Sequence, residues 1–171
     1  MRRLILLRHA KSDYPPGVPD HDRPLSERGR RNAATIAERL STYVSVGESV
    51  HAVVSTAVRA VQTWSVVVDG SGFGHEMDFS QRSDRSLYLA EPATLLEVAS
   101  IIDTDVGIIV GHNPGLEELA RSAESAPEQR DRESGIRLLE KFPTGSFVVL
   151  ESSSETWRAS DIRCTGFVIC R

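Results

Sequence analysis

The sequence predicts an α/β fold, with a single domain in three layers (α/β/α) around a largely parallel central sheet. Two apolar segments, 4–7 and 106–110, are continuous rather than alternating, which is typical of strands that are buried on both faces. Between the strands, apolar residues recur at helical spacing, and strands that alternate with helices favour a parallel sheet. The 171 residues suffice for one core, and we expect residues 1–171 to form a single domain.

The first half of the chain is predicted to contain two strand–helix pairs. The expected elements are a strand at 4–7, a loop at 10–23, a helix spanning 26–43, a strand at 51–55 and a helix that ends near residue 69. Ser26 and Thr56 each precede a predicted helix, where a hydroxyl can accept a hydrogen bond from a free N–H of the first turn. Both are therefore predicted helix caps.

The second half continues the alternation and then changes to strands. The expected elements are a turn at 70–74, an extended stretch at 78–89, a helix that opens at Pro92, a strand at 106–110, a helix that Asn113 caps and Pro114 begins, and strands at 146–151 and 157–169. The last two strands are predicted to pair as a hairpin at a sheet edge. The charged segment 121–137 is expected to be a solvated loop, with a surface insertion, a mobile lid or a partly disordered loop as alternatives.

Charge and composition exclude several classes of partner. The formal net charge of −4 argues against a nucleic-acid partner, because binding to a phosphate backbone needs a basic face. The apolar run at 4–7 is too short for a signal peptide, and no run reaches the about 18 residues that span a membrane. We expect a cytoplasmic protein with no membrane partner.

The two cysteines are expected to be free thiols. Cys164 and Cys170 lie in one predicted strand, which would place them roughly 20 Å apart. A disulfide needs Cα atoms about 6 Å apart. No Cys or His cluster has the spacing of a metal site, so the sequence predicts no metal and no cofactor.

Polar side chains follow three of the predicted strands at their carboxyl ends. Arg8 and His9 end the first strand, Arg59 lies just after the second, and Gly111-His112 ends a third. Ligands of open α/β sheets bind at this edge, so these side chains are expected to share one crevice. Arginine binds phosphate oxygens in a bidentate manner, and a neutral histidine is a nucleophile that can accept a phosphoryl group. The pattern predicts a phosphoryl-transfer site.

Four segments resemble the motifs of the histidine phosphatase superfamily, which includes the phosphoglycerate mutases. Leu-Leu-Arg-His-Ala-Lys at 6–11 is similar to the first motif, although Ala10 stands where that motif usually has glycine. Residues 22–29, 55–63 and 110–113 resemble the segments that follow. The short chain, Ala10-Lys11 and Asp-Arg-Pro-Leu are most similar to the SixA branch, which contains small phosphohistidine phosphatases.

The resemblance implies a phosphoglycerate mutase-like fold and a role for particular residues. His9 would be the nucleophile that becomes phosphorylated, while Arg8, Arg59 and His112 would bind the phosphoryl oxygens. Arg23 would add a cation at the rim, with a structural ion pair as the alternative. Glu91 is the candidate general acid by its order along the chain; Asp20 and Asp22 are the other candidates.

The lack of a clear acid favours a phosphohistidine substrate. An alkoxide needs a proton to leave, whereas imidazole is more easily expelled and leaves neutral when its other ring nitrogen is protonated. The predicted function is a phosphatase that forms a phosphohistidine intermediate and acts on phosphohistidine in a protein. The alternatives are a phosphatase or mutase for a small phosphorylated metabolite, and a phosphate-binding module without turnover, for which Ala10 is the supporting observation.

Overall fold

The computed structural model describes residues 2–73, 78–125, 141–154, 157–158 and 161–170. Its strands are β1 (Arg2–Arg8), β2 (Val50–Ser55), β3 (Phe79–Asp84), β4 (Val106–Gly111), β5 (Glu124–Ser125), β6 (Ser146–Ser152) and β7 (Ile162–Ile169). Its α-helices are α1 (Glu27–Leu40), α2 (Val58–Ser71), α3 (Pro92–Ser100) and α4 (Gly115–Ser122). Short 3-10 turns lie at Asp20–Asp22, Ser41–Tyr43 and Arg85–Leu87.

The strands form one sheet in the order β3-β2-β4-β1-β6-β7-β5. β1 pairs in parallel with β4 and antiparallel with β6, so it lies inside the sheet. Of the described strands only β6 runs against the others, because its neighbours β1 and β7 both pair with it antiparallel. The predictions of a largely parallel sheet and of a final hairpin are confirmed, but the hairpin is not the edge of the sheet, because the two-residue strand β5 pairs alongside β7.

Alternate residues of β1 enter two separate cores, which gives the predicted three layers. Ile5 and Leu7 belong to the core beneath α1 and α2, while Leu4 and Leu6 belong to the core beneath α3 and α4. All four side chains are fully buried. Each such burial stabilises the fold by about 2 kcal/mol, so the central strand is held from both faces.

Helix α1 is tied at its start to the loop that follows β1. Ser26 is the N-cap, as predicted: its Oγ accepts a hydrogen bond from the Gly29 N–H and donates one to the Lys11 carbonyl, both at 3.0 Å. A Cβ at Gly29 would overlap the Lys11 carbonyl, so only glycine permits this approach. The helix ends at Leu40, three residues before the predicted end.

The other two predicted caps are wrong. Ala57 takes the N-cap position of α2, and Thr56 Oγ1 lies instead 3.0 Å from His21 Nε2. Pro114, after a cis peptide bond, takes the N-cap position of α4, and the Asn113 amide donates to Glu117 and to the Phe142 carbonyl. In both cases a tertiary contact engages the side chain that would have capped the helix.

Other boundaries shift by a few residues. Helix α2 continues through the start of the predicted 70–74 turn and stops at Gly72, which is left-handed (φ 76°). Most of the charged segment 121–137 lies outside the described residues; its first part belongs to α4 and β5. Cys164 and Cys170 form no disulfide, as predicted, and both are buried. Within the described ranges, no helix is long and apolar enough to cross a membrane.

Candidate active site

The carboxyl ends of three adjacent strands converge on one cleft of about 370 Å³. His9 follows β1, Ser55 ends β2 and His112 follows β4, while Arg59 reaches the same place from the first turn of α2. The His9 N–H donates to the Gly111 carbonyl at 3.2 Å, which extends the β1–β4 ladder to the cleft floor. Sheet register therefore sets the separation of the two histidines.

His9 is held as a neutral ring whose Nε2 keeps its lone pair. Its Nδ1 lies 2.7 Å from the Ala10 carbonyl oxygen. A carbonyl can only accept, so Nδ1 carries the proton and Nε2 carries the lone pair. Arg59 Nε donates to this Nε2 at 3.2 Å. Burial, together with the charges of Arg59 and Arg8 and the neighbouring His112, lowers the pKa of His9 to about 3.

His112 faces His9, with ring centroids 5.0 Å apart. Its Nε2 lies 2.8 Å from Ser55 Oγ, and its Nδ1 lies 3.3 Å from Arg59 Nη2. An arginine can only donate, so Nδ1 accepts and the proton sits on Nε2. Burial, and then the charge of Arg59, lowers the pKa of His112 to about 3.

Arg59 links the histidines to the loop that follows β1. Its side chain is buried, and besides the two histidines it donates to the Asp20 carbonyl and, at 3.0 Å, to the Asp20 carboxylate. Tyr88 Oη and Arg23 Nη1 also donate to that carboxylate, each at 2.7 Å. The Tyr88 hydrogen bond, followed by those of the two arginines, holds the pKa of Asp20 well below its usual range. Asp20 is therefore ionised at neutral pH.

Two further arginines line the cleft, and they differ in how many of their donors already have hydrogen-bond partners. Arg8 Nη1 donates to the Phe142 carbonyl at 2.6 Å, and burial lowers its pKa. Its buried Nε has no hydrogen-bond partner among the described residues. Arg23 is engaged on all sides, since it donates to the Asp13 carbonyl and Ser12 Oγ as well as to Asp20. This is the structural ion pair that the sequence left as the alternative for Arg23.

Sequence comparison places the chain in a family. The model of the histidine phosphatase superfamily (branch 1) matches residues 4–82. An uncharacterized protein of Mycobacterium tuberculosis is 34% identical over 164 residues, which cover 95% of this chain and 96% of that protein. This chain belongs to the histidine phosphatase superfamily.

Solved structures with the same fold agree with this assignment. The proposed phosphohistidine phosphatase SixA of Nakamurella multipartitia has a TM-score of 0.74 at 25% identity and covers 98% of this chain and 95% of its own. The proposed SixA of Agrobacterium tumefaciens has a TM-score of 0.73 at 27% identity, with 98% and 97% covered. The phosphoglycerate mutase-like α/β fold is thus confirmed, and the chain is a hydrolase of the phosphatase class.

The predicted acid does not lie with the other site residues of this histidine phosphatase. Glu91 is exposed at the N-cap position of α3 and does not line the cleft. Asp22 pairs with His21, its neighbour in the chain, at 3.1 Å, also outside the cleft lining. Among the described residues that line the cleft, Asp20 is the one carboxylate. Order along the chain suggested Glu91, but the helix start turns it towards solvent.

Sequence reasoning also missed groups that support the histidine phosphatase site. Ser55 was part of a recognised motif, yet its contact with His112 joins two strands that are far apart in the chain. Tyr88 approaches Asp20 from a segment 68 residues away. No local signal predicts such pairs, because each depends on how the strands are ordered in the sheet.

Proposed function

We propose that this protein hydrolyses the P–N bond of phosphohistidine in a phosphorylated protein, through a phosphoryl group carried on Nε2 of His9. The observation that carries the proposal is a neutral His9, its lone pair directed to buried Arg59, in a cleft whose described carboxylate is the ionised Asp20. The names of the two SixA neighbours support the same substrate class.

In the first step, the lone pair of His9 Nε2 attacks phosphorus while the P–N bond of the substrate breaks. The substrate ring takes the bonding pair. When its other nitrogen carries a proton, the ring departs as neutral imidazole, so no enzyme acid is needed for this departure. An ionised Asp20 is compatible with this chemistry and not with protonation of an alkoxide.

In the second step, water forms a P–O bond while the bond from phosphorus to His9 breaks. The proton on Nδ1 is held by the Ala10 carbonyl at 2.7 Å, so His9 regains a neutral ring as it takes back the electron pair. One water proton remains on the phosphate, and the other passes to a phosphate oxygen or to solvent. The enzyme returns to its starting protonation state.

The cleft supplies positive charge where the phosphoryl oxygens would lie. Arg59, which is buried, and Arg8, which is half-buried, provide donors that are already oriented, and preorganised donors of this kind contribute about 10²–10³ in rate. His112 Nδ1 is an acceptor in the free protein. A dianion beside it would favour its protonated form, in which Nδ1 becomes a donor to a phosphoryl oxygen.

The proposal is tested by measuring phosphate release from a histidine-phosphorylated protein and from p-nitrophenyl phosphate, with and without a chelator. We expect a strong preference for the phosphoprotein, no effect of the chelator, and a loss of about a thousandfold or more in His9→Ala. The variant His51→Ala is the matched control, since His51 lies outside the cleft and contacts Ser80. Wild-type activity in His9→Ala would contradict the proposed intermediate.

A small phosphorylated metabolite is the second candidate substrate. The cleft volume of about 370 Å³ is within the range that holds small ligands. In that case p-nitrophenyl phosphate would be hydrolysed at least as well as the phosphoprotein. A mutase would instead release little phosphate and yield an isomerised product.

A further inference from the structure

Two large apolar side chains are exposed at the cleft. Tyr14 is 67% exposed and Leu89 is 53% exposed, and both line the cleft that contains His9. They come from separate segments, one from the loop after β1 and the other from the stretch between β3 and α3. The buried part of the cleft is polar and positively charged, whereas these two side chains make its outer part apolar.

The backbone at Leu89 is unusual. Its φ is 54°, and it is the one residue other than glycine with positive φ among the described residues. Leucine rarely adopts this left-handed conformation, and such residues cluster at functional sites. Leu89 adopts this unfavourable conformation even though about half of its side chain is exposed to solvent.

Tyr14 is exposed, but one face of its ring contacts an arginine. The Arg23 guanidinium carbon lies 3.4 Å from the centroid of its ring. Arg23 is itself fixed by Asp20, Ser12 and the Asp13 carbonyl. The aromatic ring is therefore presented at the cleft at little further cost in conformational entropy.

The direction of the reaction indicates what would meet these two side chains. In phosphoryl transfer the attacking and leaving atoms lie roughly in line on opposite sides of phosphorus. His9, only 7% exposed, attacks from the floor of the cleft, so the leaving group must project towards the mouth. For a phosphohistidine substrate, that leaving group is a flat imidazole ring.

We propose that Tyr14 and Leu89 form a subsite for the imidazole ring of the phosphohistidine substrate and so select for a ring-bearing leaving group. This inference rests on the proposed function. Aromatic and aliphatic side chains bind a planar ring by packing against its faces and edges. The positive groups of the floor would bind the phosphoryl dianion, and the apolar rim would bind the uncharged part of the substrate.

The test compares kcat/KM for free phosphohistidine, a histidine-phosphorylated protein and phosphoramidate, which has a P–N bond but no ring. The variants are Tyr14→Ala and Leu89→Asn. Asparagine tolerates the left-handed backbone, so this change should not destabilise the fold. We expect the ratio of phosphohistidine to phosphoramidate activity to fall by about fivefold or more in each variant, mainly through KM.

Ile101→Asn is the matched control for Leu89→Asn, because Ile101 is also largely exposed (68%, against 53% for Leu89) but lies after α3, outside the cleft lining. Its activity ratio should not change. An equal loss on all three substrates, or a loss on the phosphoprotein alone, would overturn the ring subsite. Failure of the proposed function is a separate result, since wild-type protein would then leave all three P–N substrates intact.

Discussion

His9 and His112 lie at the cleft floor, 7% and 3% exposed, and their environment decides their chemistry. An ordinary histidine is partly protonated near neutral pH, with a pKa of about 6.5. Burial and the adjacent Arg59 lower the pKa of both rings to about 3. The nucleophile therefore keeps its lone pair well below neutral pH.

The same pKa shifts predict how stability depends on pH. Between about 6.5 and 3 the unfolded chain binds protons that the folded chain does not, so the free energy of unfolding falls as the pH is lowered. From pH 7 to pH 5 we expect a loss of about 2 kcal/mol for each of His9 and His112. Urea denaturation at the two pH values measures it.

His9→Gln is the control for this pH effect. The variant should lose the contribution of His9, about 2 kcal/mol of the change between pH 7 and pH 5, while that of His112 remains. Asp20 does not affect the change in stability between pH 7 and pH 5. Its pKa is lowered in the folded protein, so the stability that it contributes is lost only at more acidic pH. Equal pH dependence in wild type and variant would contradict the buried, neutral His9.

Ser55 is predicted to position His112 through its hydroxyl. The Ser55 Oγ to His112 Nε2 contact is 2.8 Å and fully buried, so Ser55→Ala would leave an N–H without a partner. The expected loss is about 1–3 kcal/mol of stability, with a lower kcat because the ring can reorient. Chemical denaturation and steady-state kinetics measure the two effects.

The chain offers a matched control for Ser55. Ser80 Oγ contacts His51 Nδ1 at 2.7 Å in an exposed pair outside the cleft. Ser80→Ala should change neither kcat nor stability appreciably. If the two serine variants behave alike, the Ser55 contact has no special role in the site.

At the scale of elements, the cleft depends on the close approach of α4 to the segment before α3. A Cβ added at Gly115 would overlap the Ala90 carbonyl, which is backbone and cannot turn aside. Helix α4 begins at Gly115, three residues after His112. Glycine is therefore required at position 115 because a side chain would collide with Ala90, and not because the backbone angles exclude other residues.

Gly115→Ala is predicted to destabilise the protein by about 1–3 kcal/mol, as for other overpacked sites, and to lower activity by moving the start of α4. Thermal unfolding and kcat/KM measure both effects. Gly111→Ala is the control, since the atoms nearest to its added Cβ belong to the Leu116 side chain, the closest at 3.6 Å, which is an ordinary contact. Similar destabilisation of the two variants would contradict the argument.

At the scale of the whole molecule, two cores hold one sheet whose strand ends form the site. Ile108 of β4 is fully buried and lies beside Ile5 of β1 and Ala52 of β2 in the register. It thus joins the three strands that carry the cleft residues. We expect a change at Ile108 to affect stability but not catalysis, because Ile108 lies in the middle of the sheet and away from the strand ends that carry the cleft residues.

Ile108→Ala is predicted to cost about 2–5 kcal/mol of stability while kcat stays near the wild-type value at temperatures where the variant is folded. Denaturation and activity assays on one sample measure both. Val46→Ala, at an 82% exposed position, should cost less than about 0.5 kcal/mol. A large loss of kcat in folded Ile108→Ala would show that packing at this depth reaches the site.

The order of strands and helices along the chain, the buried apolar strand β1 and the residues that meet at the strand ends could be predicted from the sequence alone. These follow from local patterns: a continuous apolar run, helical spacing, and the rule that carboxyl ends of parallel strands share an edge. His9, Arg8, Arg59 and His112 were all placed at that edge from sequence, and the structure brings them to one cleft.

The protonation states, the N-caps of α2 and α4 and the position of the carboxylates depend instead on tertiary contacts. Thr56 and Asn113 have cap-forming side chains, but contacts with distant residues engage them instead. Asp20 is held ionised by Tyr88, Arg23 and Arg59, and both site histidines are neutral because they are buried. Burial and long-range hydrogen bonds arise when distant segments pack together, so no local sequence pattern encodes them.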